Sequence, residues 1–417
     1  MPTINGLTYF EVQFDEAGSL TADGGLRAAV AGGGISDLFV MSHGWNNGIE
    51  SARDLYNAMF KLLAEQLGAH RAACAAVGIL WPSLLFPEDD PSTKSAPSTG
   101  AQLAAALAPA FPDKTKQLTT LGELLDKQPQ RLDKLTEFHS LVAELVTTDP
   151  LGSEDAGESA LLRADTITVL GHAAAMASAP APAARDRGNP FAGLWSGARE
   201  LLRTMSYYEM KNRAGVVGQN GLGPLLGGLG GPGGTPRVHL MGHSFGARLV
   251  AYALAGLPDG QTGASSPVKS LTLLQGAFSH FAFASPLPID GGRNGALAGL
   301  SDRVDGPLLA TFTDADRAVG WWYPAASMLA RQDSKAASDL VYRWGAMGHD
   351  GYQQNPAAAI TPMVAQGQSY DFAPGRFYAL DANAVIKANQ SKFSGAHSDI
   401  RHAEVLWAVL CAAGLDH

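Results

Sequence analysis

The residue pattern predicts an α/β protein: a mostly parallel, doubly wound sheet carrying one large helical insertion. Three observations lead there. Apolar strand-like runs alternate with helical spacing at both ends of the chain. That rhythm breaks at Pro82 and resumes at Arg237, after a helix that returns to the core near residue 190. One of the later strands runs straight into Gly242-His243-Ser244-Phe245-Gly246 and on into a helical pattern.

Leu7 to Phe14 (LTYFEVQF) alternates apolar and polar residues, as an outer strand with one wet face does. Ile35 to Ser42 is mostly apolar and ends at His43-Gly44-Trp45, Arg53 to Leu67 has helical spacing, and Ala76 to Trp81 is apolar again until Pro82 stops it. Strand, helix and strand in close succession predict parallel pairing buried on both faces. Residues 84–189 are too long for a connection within a compact fold. They read as an inserted helical cap rather than a partly disordered excursion, because Leu121, Leu124, Leu125, Leu132, Leu135 and Phe138 recur at three- and four-residue steps. The core is then 1–83 with 190–417. Phe191 to Asn212 reads as a helix returning to it. The glycine-rich Gly215 to Gly234 reads as a mobile surface loop, not a phosphate cradle, since no Gly-Lys-Ser/Thr ending follows. Strands are expected at Arg237–Met241, Val268–Leu274, Leu308–Thr313 and Phe377–Leu380, with helices at Ala247–Ala255 and Ala403–Ala413.

Composition narrows the function. Hydrophobic residues at 46 % against 17 % charged supply a large core. Thirty basic against 39 acidic residues, a formal charge of −9, with no Lys/Arg cluster, argues against nucleic acid or an anionic membrane as main partner. Cys74 and Cys411 sit far apart in segments that read as helical, which points to buried thiols and not to a disulfide scaffold. The first twenty residues lack a basic start and an apolar core, and no apolar run has the length of a membrane span. A cytoplasmic location is the expectation, with signal-independent export left open. Oligomeric state is not legible.

The glycines around Ser244 carry the chemistry. A nucleophile elbow needs a buried strand, a turn too tight for bulky neighbours, and a helix that starts at once. Gly242 and Gly246 remove the clashing side chains, Ala247 keeps the next contact small, and the helix N-terminus aims N–H groups at the reacting oxygen. Gly44 lets the chain turn so that Trp45 offers its backbone N–H to an oxyanion, and Phe245 supplies a second. His43 reads better as a residue beneath that loop than as a base. Trp45, His43 and Phe278 are the candidate substrate contacts, with Trp81 as further lining. The base is expected at His397, in a small-residue loop before the closing helix; His402 reads as decoration of that helix, His280 and His349 lie too early, and His417 is terminal. For the acid, Asp316 is favoured over Asp314: Val319 can anchor its loop, while Asp314 is better placed to cap the turn.

These segments resemble the α/β-hydrolase superfamily: GHSFGA as elbow, HGW as oxyanion turn, and Ser244, Asp316 and His397 in that order at successive strand ends. ILWPS, TFTDADRAVG and SGAHSDIRHAEV resemble segments of a poorly characterised bacterial serine-hydrolase group. The likeness covers residues 1–83 and 190–417 and leaves the insertion out. It implies an esterase or lipase-like enzyme acting on a small-molecule or lipid ester through an acyl-enzyme on Ser244, without metal or organic cofactor. An amidase, peptidase or thioesterase with the same triad, or a non-catalytic binding relative, are the alternatives.

Overall fold

Successive side chains of a strand leave on opposite faces, so a strand buried along almost its whole length needs cover on both. That is the condition of β4 (Asp37–Ser42), β5 (Cys74–Leu80) and β6 (Arg237–His243) in the computed structural model, which describes residues 2–45, 48–84, 86, 98–146, 165–177, 190–231, 234–318, 342, 345–388 and 395–416. Leu38 and Val40, Val77 and Ile79, and Leu240 enter one apolar cluster; their neighbours Phe39, Met41, Ala76, Leu80 and Met241 enter another.

The sheet has ten strands among the described residues. Its order is β1 (Thr3–Ile4), β2 (Leu7–Phe14), β5, β4, β6, β7 (Val268–Leu274), β8 (Leu308–Phe312), β10 (Phe377–Asp381) and β9 (Ala359–Pro362), with β3 (Leu20–Ala22) beside β2. Only the β1–β2 and β2–β3 pairs are antiparallel; the rest are parallel. After β4 the chain goes out to β5 on one side and later returns to β6 on the other. The carboxyl ends of β4 and β6 therefore flank a topological switch point, where an open α/β sheet leaves a crevice.

Helices cover both faces. On the second cluster lie α2 (Ile49–Gln66) and α11 (Ala403–Ala413), each showing an apolar stripe at three- and four-residue steps; in α11 it runs Val405, Leu406, Val409, Leu410 and Ala413. Each large side chain so buried contributes roughly 1.5–3 kcal/mol. On the first cluster lie α1 (Leu26–Ala31), α7 (Pro190–Val217), α8 (Gly223–Gly227) and the elbow helix α9 (Phe245–Ala253). The insertion is helical where described: α3 (Gly100–Leu107), α4 (Thr115–Lys127), α5 (Leu132–Ala143) and α6 (Thr166–Ala177), with α5 and α6 packed on α7. Phe138 stands edge-on to Trp195 at 5.7 Å, inside the same cluster as the sheet. Most of the Pro/Ser stretch after Phe86 and of the Ala/Pro-rich segment lies outside the described residues, as do Val319 and His417.

Two expectations need correction. Gly215–Gly234 is not a mobile surface loop in its described part: α7 continues to Val217, a π-helical turn spans Gly218–Leu222, α8 follows, and Gly215, Gly218, Gly221 and Gly223 are buried. Glycine there serves packing, since a Cβ on Gly218 would run into the Leu249 carbonyl of α9. Cys74 opens strand β5 and is not helical; burial, then the Asp37 charge, pushes its thiol up to about 12. No described helix is long and apolar enough to cross a membrane.

Candidate active site

Six adjacent parallel strands, β5, β4, β6, β7, β8 and β10, each end in a loop that contributes to one place. At the end of β6, Ser244 holds φ +58° and ψ −122°, a conformation that costs a non-glycine residue on the order of 1–3 kcal/mol. It is held there by its own backbone: its N–H donates to the Leu274 carbonyl at 3.1 Å, and its carbonyl accepts from Ala247 and Ala277 at 3.1 and 3.2 Å. A Cβ on Gly242 would meet the Gly246 carbonyl, and one on Gly246 the Ser42 and His43 carbonyls, so the elbow closes only with glycine at both.

His397 Nε2 lies 2.8 Å from Ser244 Oγ, and its Nδ1 2.7 Å from Asp316 Oδ2. A carboxylate only accepts, so Nδ1–H donates to Asp316 and Nε2 is left to accept the serine proton. The structure thus brings together Ser244, Asp316 and His397. Asp316 is fully buried whereas Asp314 is exposed. The Asp314 N–H donates to Asn383 Oδ1 at 3.0 Å, which keeps it in the turn. A short antiparallel bridge, Asp316 with Gly395, and an Ala396 N–H to Ala315 carbonyl bond of 2.9 Å join the loops of acid and base. His402 precedes α11 and meets Asp399 Oδ1 at 3.0 Å. His280 faces acceptors on both ring nitrogens, Asp350 Oδ2 at 3.0 Å and the Tyr342 carbonyl at 2.8 Å, and has none left to take a serine proton. His349 lies 3.9 Å from Asp350.

Among the described residues, the backbone N–H groups of Trp45 and Phe245 have no acceptor, although Phe245 is fully buried. Buried N–H groups are nearly always paired, so two unpaired ones beside a strained serine have the form of an oxyanion site. The side chains of Trp45, Tyr207 of α7 and Phe245 pack on one another, with ring centroids 4.7–6.0 Å apart.

The expected substrate contacts are revised. His43 is buried beneath the turn, stacked on Trp81 at 5.5 Å, and burial pushes its imidazole down to about 4. Its Nδ1–H donates to the Gly44 carbonyl at 2.9 Å. Trp81 supports that ring, and Phe278 is fully enclosed in the core beside α9. Of the three candidate contacts, Trp45 alone is partly accessible.

Two residues of the site escape the sequence reading. Gln275, at φ +47° just after β7, donates from Nε2 to Asp316 Oδ2 and to the Gly348 carbonyl of α10 (Met347–Asp350), both at 2.9 Å. Thr311 Oγ1 donates to its Oε1 at 2.8 Å, which fixes the amide orientation. The available signal was a polar residue directly ending the apolar run LTLL. His243, the elbow's second residue, donates from Nε2 to the His397 carbonyl at 2.9 Å; burial and then the neighbouring His397 push it down to about 3, so it stays neutral. No group of three or more His, Cys, Asp or Glu side chains among the described residues is arranged to hold a metal ion. Comparison with protein-family models, curated proteins and solved structures finds no match for the chain.

Proposed function

We propose that the chain is a serine hydrolase of the α/β-hydrolase type, cleaving a carboxylic ester through an acyl-enzyme on Ser244. The observation that carries this reading is the unbroken hydrogen-bonded line Asp316–His397–Ser244, ending on a strained serine at the sheet's switch point. His397 Nε2 takes the hydroxyl proton as Ser244 Oγ attacks the carbonyl carbon. The N–H groups of Trp45 and Phe245 hold the oxyanion, worth roughly 2.7–4 kcal/mol for each donor. As the carbon–oxygen bond of the leaving group breaks, His397 returns the proton to the departing alkoxide. Water then gives a proton to His397, attacks the acyl carbon, and releases the acid as Ser244 Oγ recovers its proton. Asp316, held by Gln275, keeps the imidazole in the required tautomer throughout. The half-buried aromatic edge of Trp45 favours an apolar acyl group.

The test is hydrolysis of p-nitrophenyl esters of increasing acyl length, beside matched anilides and a thioester. Ester turnover with a burst of p-nitrophenol, reduced about 10⁶-fold in Ser244→Ala, is expected. Turnover unchanged in Ser244→Ala, or none from the folded protein, contradicts the reading. Preference for the anilide or thioester replaces ester by that class.

A further inference from the structure

The oxyanion turn after β4 is gripped from the strand where the insertion begins. The Gly44 carbonyl accepts from two side chains, His43 Nδ1 at 2.9 Å and Ser83 Oγ at 3.2 Å. Ser83 lies three residues beyond the end of β5, at the root of the insertion. Trp81, two residues before it, stacks on the His43 ring with planes 13° apart and donates from its indole to the His43 carbonyl at 3.2 Å. Pro82 between them accepts at its carbonyl from Arg213 Nη1 of α7 at 3.1 Å. On the remaining side Tyr56 of α2 accepts from the His43 N–H at 2.9 Å. All of these contacts but the one from Arg213, which holds Pro82, bear on the two residues that precede Trp45.

Their effect follows from the planarity of the peptide. The Gly44–Trp45 bond is trans, so the Gly44 carbonyl and the Trp45 N–H point in opposite directions from one rigid unit. Two donors pulling the carbonyl toward Ser83 and His43 therefore turn the N–H the other way. That N–H has no acceptor among the described residues. Gly44 itself abuts the nucleophile: a Cβ there would lie 2.5 Å from Ser244 Cβ and 3.2 Å from Oγ. Rotation of this one peptide would exchange a donor for a carbonyl beside the serine, replacing attraction for an oxyanion by repulsion.

We infer that Ser83 and His43 are positioning residues of the oxyanion site, clamping the Gly44 carbonyl so that the Trp45 N–H faces the developing negative charge. The inference rests on Ser244 being the nucleophile. It assigns His43 a duty other than substrate contact, and it joins the root of the insertion to the catalytic turn.

The experiment is the second-order rate of phosphonylation by a fluorophosphonate, with kcat and KM for p-nitrophenyl butyrate and the thermal midpoint alongside. The proteins are the full-length chain, Ser83→Ala, Ser83→Thr and His43→Ala. A misdirected donor costs less than the roughly 10²–10³-fold of a deleted one. Ser83→Ala is expected to slow phosphonylation and kcat about tenfold with KM nearly unchanged, and Ser83→Thr, which keeps the hydroxyl, to recover most of it. His43→Ala is expected to lose about 10²-fold where it folds. Wild-type protein that reacts while folded Ser83→Ala reacts equally fast overturns the clamp and leaves the nucleophile standing. Wild-type protein that takes no label overturns both.

Discussion

The sheet carries two sets of Ser, His and Asp joined by hydrogen bonds, one at each end of its strands. At the carboxyl ends lie Ser244, His397 and Asp316. Toward the amino ends Asp37 starts β4, and His239 and Ser270 pair in register on β6 and β7. His239 Nε2 lies 2.9 Å from Asp37 Oδ1 and its Nδ1 3.0 Å from Ser270 Oγ. Residue types and distances nearly coincide, and the surroundings do not. Ser270 sits within a buried strand, next to a register shift against β6; Ser244 has a left-handed φ at a turn. Asp37 also meets Arg237 at 3.1 Å, and Asp316 also accepts from the amide of Gln275. The imidazole is reversed as well, presenting Nδ1 to the serine at the amino end and Nε2 at the carboxyl end. Burial pushes His239 down despite Asp37 beside it. Burial alone opposes the Asp37 charge, but hydrogen bonds from His239 and Ser36 and the adjacent Arg237 guanidinium hold it below the usual carboxylate range. What the amino-end line lacks, and the line at Ser244 has, is a strained turn with free N–H groups at the switch point of the sheet.

Substitutions can break or sharpen this contrast. The largest expected effect is on Ser244→Ala, a loss of about 10⁶ in kcat, against no loss of ester turnover in Ser270→Ala, whose cost is roughly 1–3 kcal/mol of stability from the unpaired His239. Steady-state kinetics and urea unfolding on both variants separate the two outcomes. Next, Asp316→Asn should lower kcat about 10⁴-fold by favouring the wrong tautomer of His397. Asp37→Ala should instead lower stability by roughly 3 kcal/mol with kcat retained in the folded fraction.

The Gln275 amide tests the second layer of the carboxyl-end set alone. Gln275→Leu removes a donor from Asp316, leaving a more basic carboxylate that favours the imidazolium. A loss of roughly tenfold in kcat/KM is expected, with the acid limb of the pH–rate profile moved to higher pH. An unmoved limb would show that Gln275 only fills space.

What could be read from the chain divides along the same line. Ser244 was legible because an elbow imposes local demands, small residues two places to either side between a strand and a helix. His397 and Asp316 followed from the order of strand ends. The contributions of Gln275, His243 and Ser83 were not legible: each acts on a partner 39 to 154 residues away, and the neighbouring sequence records no more than that Gln275 is a polar residue ending an apolar run. The glycine-rich stretch misled for a related reason. Composition suggested a loose loop, while the space between Gly218 and the Leu249 carbonyl required small residues in a packed helix.

Acid is expected to act on stability and not on the contrast between the two sets. His43 and His243 are held neutral, down to about 4 and about 3, from an ordinary value of 6.5. The unfolded chain therefore takes up these protons first. Stability is full above pH 6.5 and falls as pH drops from there toward 4, by an amount on the order of 3 kcal/mol for each group. Denaturant midpoints across that range measure it, and His43→Gln should flatten the slope.

The contrast between the two sets is tested most directly by intact-mass spectrometry and peptide mapping after fluorophosphonate treatment of wild type, Ser244→Ala and Ser270→Ala. One adduct on wild type and on Ser270→Ala, mapped to Ser244, and none on Ser244→Ala is the predicted result. An adduct on the Ser270 peptide, or folded wild-type protein that takes none, would contradict it.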